Sequence, residues 1–197
     1  MSESQPLPIF SGLVIYRNPK FRYSLFFPDG WHELEPVEDV GGPVFAPNPE
    51  NIETSFSVEA RDLGVTITAE DLPAVRSGFL AGLRQLPEAK IETREAEAIG
   101  NLLTLEARLT FRAGEQIRKR WTRLLYQGTT QVRLIAQGAT VAEFDYWLPM
   151  FYESMRTFRF GDWWADVIGR DWLPTLDALQ EEWAPLAANA PADEESP

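Results

Sequence analysis

The amino-acid sequence predicts an α+β fold built on an antiparallel sheet, and three features predict it. Residues 103–111 alternate apolar and polar side chains with a period of two, as a strand with one wet face must. Residues 72–86 and 144–155 instead space their apolar residues three or four apart, the period of a helix with one buried stripe. Between those two helices, four strand-like runs follow one another through short turns, so neighbours should pair antiparallel. The alternating strand–helix order of a doubly wound nucleotide-binding sheet does not occur.

Taken in chain order, residues 1–12 are polar and Pro-containing and predict a loose arm. Phe21–Phe27 reads as a strand, ended by the turn Pro28-Asp29-Gly30, and Trp31 opens a new segment. A short strand is centred on Val44 and Phe45. In the next one Phe56, Val58 and Ala60 face one way, and Ser57, Glu59 and Arg61 the other. The first helix is predicted over 69–86, with Leu72, Val75, Phe79, Leu83 and Leu86 as its stripe and Thr68–Asp71 as a capping box. Strands follow at 90–98, 101–112, 115–127 and 129–138, punctuated by Gly100-Asn101, Ala113-Gly114 and Gly128-Thr129.

The second helix is predicted over 141–157. Thr140–Glu143 forms its capping box, Phe144, Leu148, Phe151 and Met155 its stripe, and Pro149 should kink or shorten it. After the extended piece "RTFRF", a C-terminal helical extension is expected over 161–186. There Trp164, Val167, Ile168 and Trp172 keep helical spacing, Pro174 suits the first turn of a second helix, and Leu176, Leu179 and Trp183 continue the stripe. Residues 187–197, "AANAPADEESP", are acidic with nothing to bury, and a disordered tail is expected.

The totals remove whole classes of chemistry. A chain of 197 residues is long enough for one domain plus tails. There is no Cys, which excludes disulfides, thiolate metal sites and nucleophilic thiols. A net charge of −12 opposes nucleic acid and anionic lipid alike. The N-terminus lacks the basic and apolar regions of a secretory signal, and no run of about 18 apolar residues occurs, so a cytoplasmic protein without membrane insertion is expected.

His32 is the sole imidazole, so any Ser/His/Asp relay would have to use it; a turn residue at the surface is the alternative. A His-based zinc site needs three or four ligands, and a single imidazole is available. Acidic groups such as Glu33/Glu35, Glu92/Glu95/Glu97 and Asp162/Asp166 match no spaced calcium loop and read as solvated surface. No glycine-rich phosphate loop is present. Hence no catalytic residue, metal or cofactor is expected.

Two groups are candidates for binding. From Arg108 to Arg133 the chain carries Arg108, Arg112, Arg118, Lys119, Arg120, Arg123 and Arg133, with Glu106 just before the run and Glu115 inside it. If Arg108 and Arg112 share a sheet face with Arg118, Arg120 or Arg133, they form a site for an acidic segment or small anion. Pairing with Glu59, Glu92, Glu95, Glu97 and Glu106 would neutralise them instead. The second group is Trp163, Trp164, Trp172 and Trp183, either a lid on the protein's own core or the interface with a partner protein or a second copy in a homodimer.

The segment "YRNPKFRYSLFFPDGWHEL" has a Tyr-containing opening strand, then a strand ending in Pro and the turn Pro28-x-Gly30-Trp31. Together with "VFAPN", "SFSVEA", "TAEDL", the long meander and "AEFDYWLPMFYESMRTFRF", it resembles the PsbP-like and Ran-binding Mog superfamily over residues 13–160. The resemblance is to a bacterial branch related to the type VI effector-associated chaperones. It implies an αβα sandwich around a central antiparallel sheet of about six or more strands, and a non-enzymatic protein-binding or adaptor role. Members of the superfamily differ in their functional residues, so it assigns none here. A chaperone shielding apolar segments of a secreted effector is the alternative within the family. An enzyme using His32 is the alternative outside it.

Overall fold

Strand alternation and turn chemistry produce the order β1 (Leu13–Asn18), β2 (Tyr23–Pro28), β3 (His32–Leu34), β4 (Val44–Ala46), β5 (Ser55–Asp62), α1 (Leu72–Arg84), β6 (Lys90–Ile99), β7 (Leu102–Ala113), β8 (Gln116–Gln127), β9 (Thr130–Gly138), α2 (Val141–Thr157) and β10 (Arg159–Phe160). This is a computed structural model, and it describes residues 8, 11–34 and 42–161. The chain divides into one unit over 1–158 and a second over 159–197. Of the second unit only residues 159–161 are described, with β10 as its short strand. The expected arm, apart from residues 8, 11 and 12, therefore lies outside the described residues, as do the expected helical extension after Gly161 and the expected acidic tail.

In the first unit a seven-stranded sheet runs in the order β3-β4-β5-β9-β8-β7-β6. Every neighbouring pair is antiparallel. Directly opposed residues in such a sheet share a face. Phe56 and Val58 of β5, Leu134 and Ala136 of β9 and Trp121 of β8 therefore line one face, all at 2% exposure or less. Leu103, Leu105, Ala107 and Leu109 of β7 line the other, where Leu80 and Leu83 of α1 pack on Ala107 and Leu109. Fully burying each large apolar side chain is worth about 1.5–3 kcal/mol, so this double-sided alternation fixes the register strongly.

On the first of these faces α2 packs against β8, β9 and β2. Gly138 permits its close approach: a Cβ there would lie 2.4 Å from the Phe144 backbone nitrogen. The turn at Gly30, where φ is +86°, delivers Trp31 to α2, edge-on against Trp147 and Phe151 at centroid distances of 5.4 and 5.7 Å. The β1–β2 hairpin is tied to the end of the same helix by Phe26 N–H donating to Thr157 Oγ1 at 3.0 Å.

Pro149 does not shorten α2, which runs unbroken through 141–157. The lost backbone bond is outweighed by burial of Phe144, Met150, Phe151 and Met155 on both sides of the proline. The α2 cap also departs from a box. Thr140 Oγ1 accepts from Glu143 N–H at 3.1 Å, but the Glu143 carboxylate turns to the hydroxyl of Thr54 instead of back to Thr140. α1 begins with the first residue of its stripe, Leu72, and not at 69, because Ala69–Asp71 forms a separate 3₁₀ turn ahead of Pro73. At the sheet edge β6 carries Lys90, Glu92, Arg94, Glu95 and Glu97 and a bulge between Ile91 and Thr93, which protects it from pairing with another strand.

Candidate binding groove

The β7–β8 turn decides how the predicted arginines are distributed. Ala113 opposes Gln116, which puts Arg108 opposite Trp121 and Arg112 opposite Ile117 on the α2 face. Arg118 and Arg120 oppose Phe111 and Leu109 and therefore lie on the α1 face. The condition for one cluster of Arg108 and Arg112 with Arg118 and Arg120 is therefore not met: the two pairs lie on opposite faces, because side chains switch sides at every residue.

On the α2 face the cations are mostly neutralised by carboxylates. Arg123 bonds Glu106 at 2.6 Å and the Met155 carbonyl at 2.8 Å, and Lys119 bonds Asp145 at 3.0 Å. Arg112 pairs with Glu88 at 2.6 Å. Arg108 stacks on Trp121, its guanidinium 4.2 Å from the ring centroid.

The α1 face is built differently. α1 covers the β7 and β8 side of the sheet, leaving the β5–β9 strip as the floor of a groove with a cavity of about 440 Å³. Arg61, Arg133 and Arg120 line it, from β5, β9 and β8 respectively. Gly78 and Gly82 of α1 form part of the facing wall, and a Cβ on either would meet nothing within 4 Å. Their absent side chains leave that wall bare and the groove open.

Each of these three arginines is bonded through Nε to the residue directly opposite it in the sheet register. Arg61 Nε donates to Gln131 Oε1. Arg120 Nε donates to Gln137 Oε1 at 3.0 Å, with Nη2 reaching the same oxygen at 2.5 Å. Arg133 Nε donates to Glu59 Oε2 at 2.8 Å. A guanidinium has five donors in a planar fork, so anchoring the Nε edge orients the plane and leaves terminal N–H groups for another acceptor. Arg118, on the same face, is bonded to Glu53.

The electrostatics follow from that geometry. Of the three guanidiniums only Arg133 is bonded to a carboxylate, Glu59, and the other two are held by neutral amides. Burial, and next the charge of Arg133, push the Arg120 pKa down to about 10. Arg120 remains a cation at neutral pH, but an incompletely compensated one. Gln131 Nε2 donates to the Tyr126 hydroxyl at 2.8 Å, which fills that oxygen as an acceptor. Guanidinium N–H groups lining a cavity whose described lining carries no carboxylate are chemically able to receive an anion.

His32 lies on β3, exposed beside the exposed Glu33. No group of three or more metal-ligating side chains occurs among the described residues. Trp163, Trp164, Trp172 and Trp183 all fall outside them. Sequence reasoning named Arg120 and Arg133 but missed Gln131, Gln137 and Tyr126 as their setting. It placed Arg61 on a wet face without linking it to the basic run. The signal lay in the β5–β9 pairing, which joins residues about seventy positions apart and leaves no local trace.

No family model matches the chain, and no curated protein matches it. By structure it is similar to the cyanobacterial PsbP (CyanoP) of Synechocystis sp. PCC 6803, at a TM-score of 0.55 and 15% identity over 81% of this chain and 98% of that one. It is also similar to LpqN of Mycobacterium tuberculosis, involved in cell envelope biogenesis, at 0.49 and 18% over 69% and 81%. A third similar structure is the Saccharomyces cerevisiae Ran-binding protein Mog1p, at 0.46 and 12% over 75% and 95%. The CyanoP likeness shows the fold: this chain has a PsbP-like α+β architecture with helices on both faces of an antiparallel sheet. Among the described residues no helix is long and apolar enough to cross a membrane.

Proposed function

We propose that the chain is a non-enzymatic protein-binding module that docks an acidic segment of a partner protein in the groove between α1 and the β5–β9–β8 floor. The observation that carries this reading is the trio Arg61, Arg120 and Arg133 in one groove of a chain whose net charge is −12. Cations concentrated on one concave surface of an acidic protein attract an anionic partner to that surface, while the remaining surface repels nucleic acid. An apolar segment would leave these guanidiniums desolvated and unpaired, which disfavours a role in shielding membrane segments.

The test is fluorescence anisotropy of the full chain with a labelled Glu/Ser peptide. Affinity should fall as salt is raised, and Arg61→Gln or Arg120→Gln should each weaken it by about tenfold, or ~1.4 kcal/mol. Equal affinity in wild type and both variants would remove the groove from the mechanism.

A further inference from the structure

The choice of clamp opposite each arginine is itself informative. Glu59 holds Arg133 and neutralises it, whereas Gln131 and Gln137 hold Arg61 and Arg120 in the same way and leave their charge uncompensated. Glutamate at either position would give a salt bridge like that of Glu59 with Arg133. An amide orients the guanidinium equally well, through a carbonyl oxygen, without competing for its charge.

The register also fixes the separation of the two uncompensated charges. Arg61 opposes Gln131 and Arg120 opposes Gln137 on the two sides of β9. Six residues of strand place these anchor points about 20 Å apart along β9 and about 10 Å apart across it. That span is covered by about six or seven residues of extended chain. Between them Arg133 is already occupied by Glu59.

We infer that the groove recognises two separated carboxylates, one on Arg61 and one on Arg120, carried about six residues apart on an extended segment, with Gln131 and Gln137 as the positioning residues that keep both guanidiniums aimed and charged. This rests on the acidic-segment reading and narrows its partner class. A single anion satisfies one site only. A segment with both acids at the right distance gains the second contact intramolecularly, at high effective concentration.

The experiment compares two labelled Ser-rich nonapeptides of equal charge on the full chain, one with Glu at positions 2 and 8 and the other with Glu at positions 2 and 3. The spaced peptide should bind several-fold tighter. Gln131→Glu and Gln137→Glu should each abolish that preference while raising the thermal midpoint, a pairing of effects that a merely structural glutamine would not produce. Equal binding of the two peptides, or an undiminished preference in both glutamate variants, would overturn the two-point inference. If Arg61→Gln and Arg120→Gln still weakened both peptides, the docking reading would stand without it. Absence of salt-dependent binding by either peptide would sink the docking reading itself.

Discussion

The two faces of the central sheet arise from one alternation of side chains, yet they meet opposite requirements. Beneath α2, Phe56, Val58, Leu134, Ala136 and Trp121 are sealed against Phe144 and Phe151, and nearby Arg123 and Lys119 end on carboxylates. Beneath α1, the helix covers β7 and part of β8 and stops, so the residues of β5 and β9 that alternate with that core form a charged floor. Stability is concentrated on the face where burial and charge pairing are complete. Capacity for a ligand is concentrated where they are not, as expected of a site that holds uncompensated groups until a partner supplies the missing charge.

The sharpest way to break this contrast is to truncate the sealed side. Phe151 is fully buried on α2, so Phe151→Ala should cost about 3–5 kcal/mol in urea denaturation. The fraction that remains folded should bind the Glu/Ser peptide as wild type does. A loss below about 1 kcal/mol would mean that the α2 face is loosely packed and the comparison has no basis.

The complementary substitution on the other side has the opposite sign. Arg120→Met removes a half-buried cation that has no carboxylate of its own, so stability should be unchanged or higher by up to about 1 kcal/mol while peptide binding weakens about tenfold. The pH dependence follows from the depressed pKa. A base whose folded pKa, about 10, lies below its unfolded value is destabilising while it stays charged. That cost is fully present below about pH 10 and fades as pH rises from there towards the unfolded pKa. The advantage of Arg120→Met over wild type should shrink over the same window. Destabilisation by Arg120→Met at neutral pH would show that the guanidinium contributes to the core, as residues on the α2 face do.

Most of the architecture was legible because it is written in local periods. The stripe of α2, the alternation of β7 and the turn at Pro28-Asp29-Gly30 each follow from residues within a dozen positions. Whether Arg108 and Arg112 share a face with Arg118 and Arg120 turns on the length of one loop. Closed by two residues, the hairpin sets every even-numbered residue of β7 opposite an odd-numbered one of β8, wherever the turn is centred; one residue more in the loop would exchange the faces. The groove was less legible still, since its floor depends on β5 choosing β9 over every other strand, and on glutamines whose meaning appears only opposite an arginine.

The two helix caps carry the contrast between the faces down to its smallest expected effect. At α2, Thr140 Oγ1 accepts from Glu143, the Glu143 carboxylate accepts from Thr54, and Thr54 Oγ1 accepts from Ala139 N–H at 3.0 Å. Thr54 is only 3% exposed, so this chain of bonds joins the helix start to the buried ends of β5 and β9. At the 3₁₀ turn that leads into α1, Asp71 Oδ2 accepts from Thr68 N at 2.8 Å and from its hydroxyl at 3.1 Å, with Thr68 exposed and Asp71 half-buried. Thr140→Ala should therefore cost about 1–2 kcal/mol and Thr68→Ala only about 0.5 kcal/mol, by thermal or urea unfolding. A double-mutant cycle separates the mechanisms: Thr140→Ala and Thr54→Val should couple by about 0.5 kcal/mol or more, whereas Thr68→Ala and Thr54→Val should be additive. Equal costs at the two caps, with no coupling, would mean that α2 is held by its apolar stripe alone and that the polar clamp beneath it adds nothing.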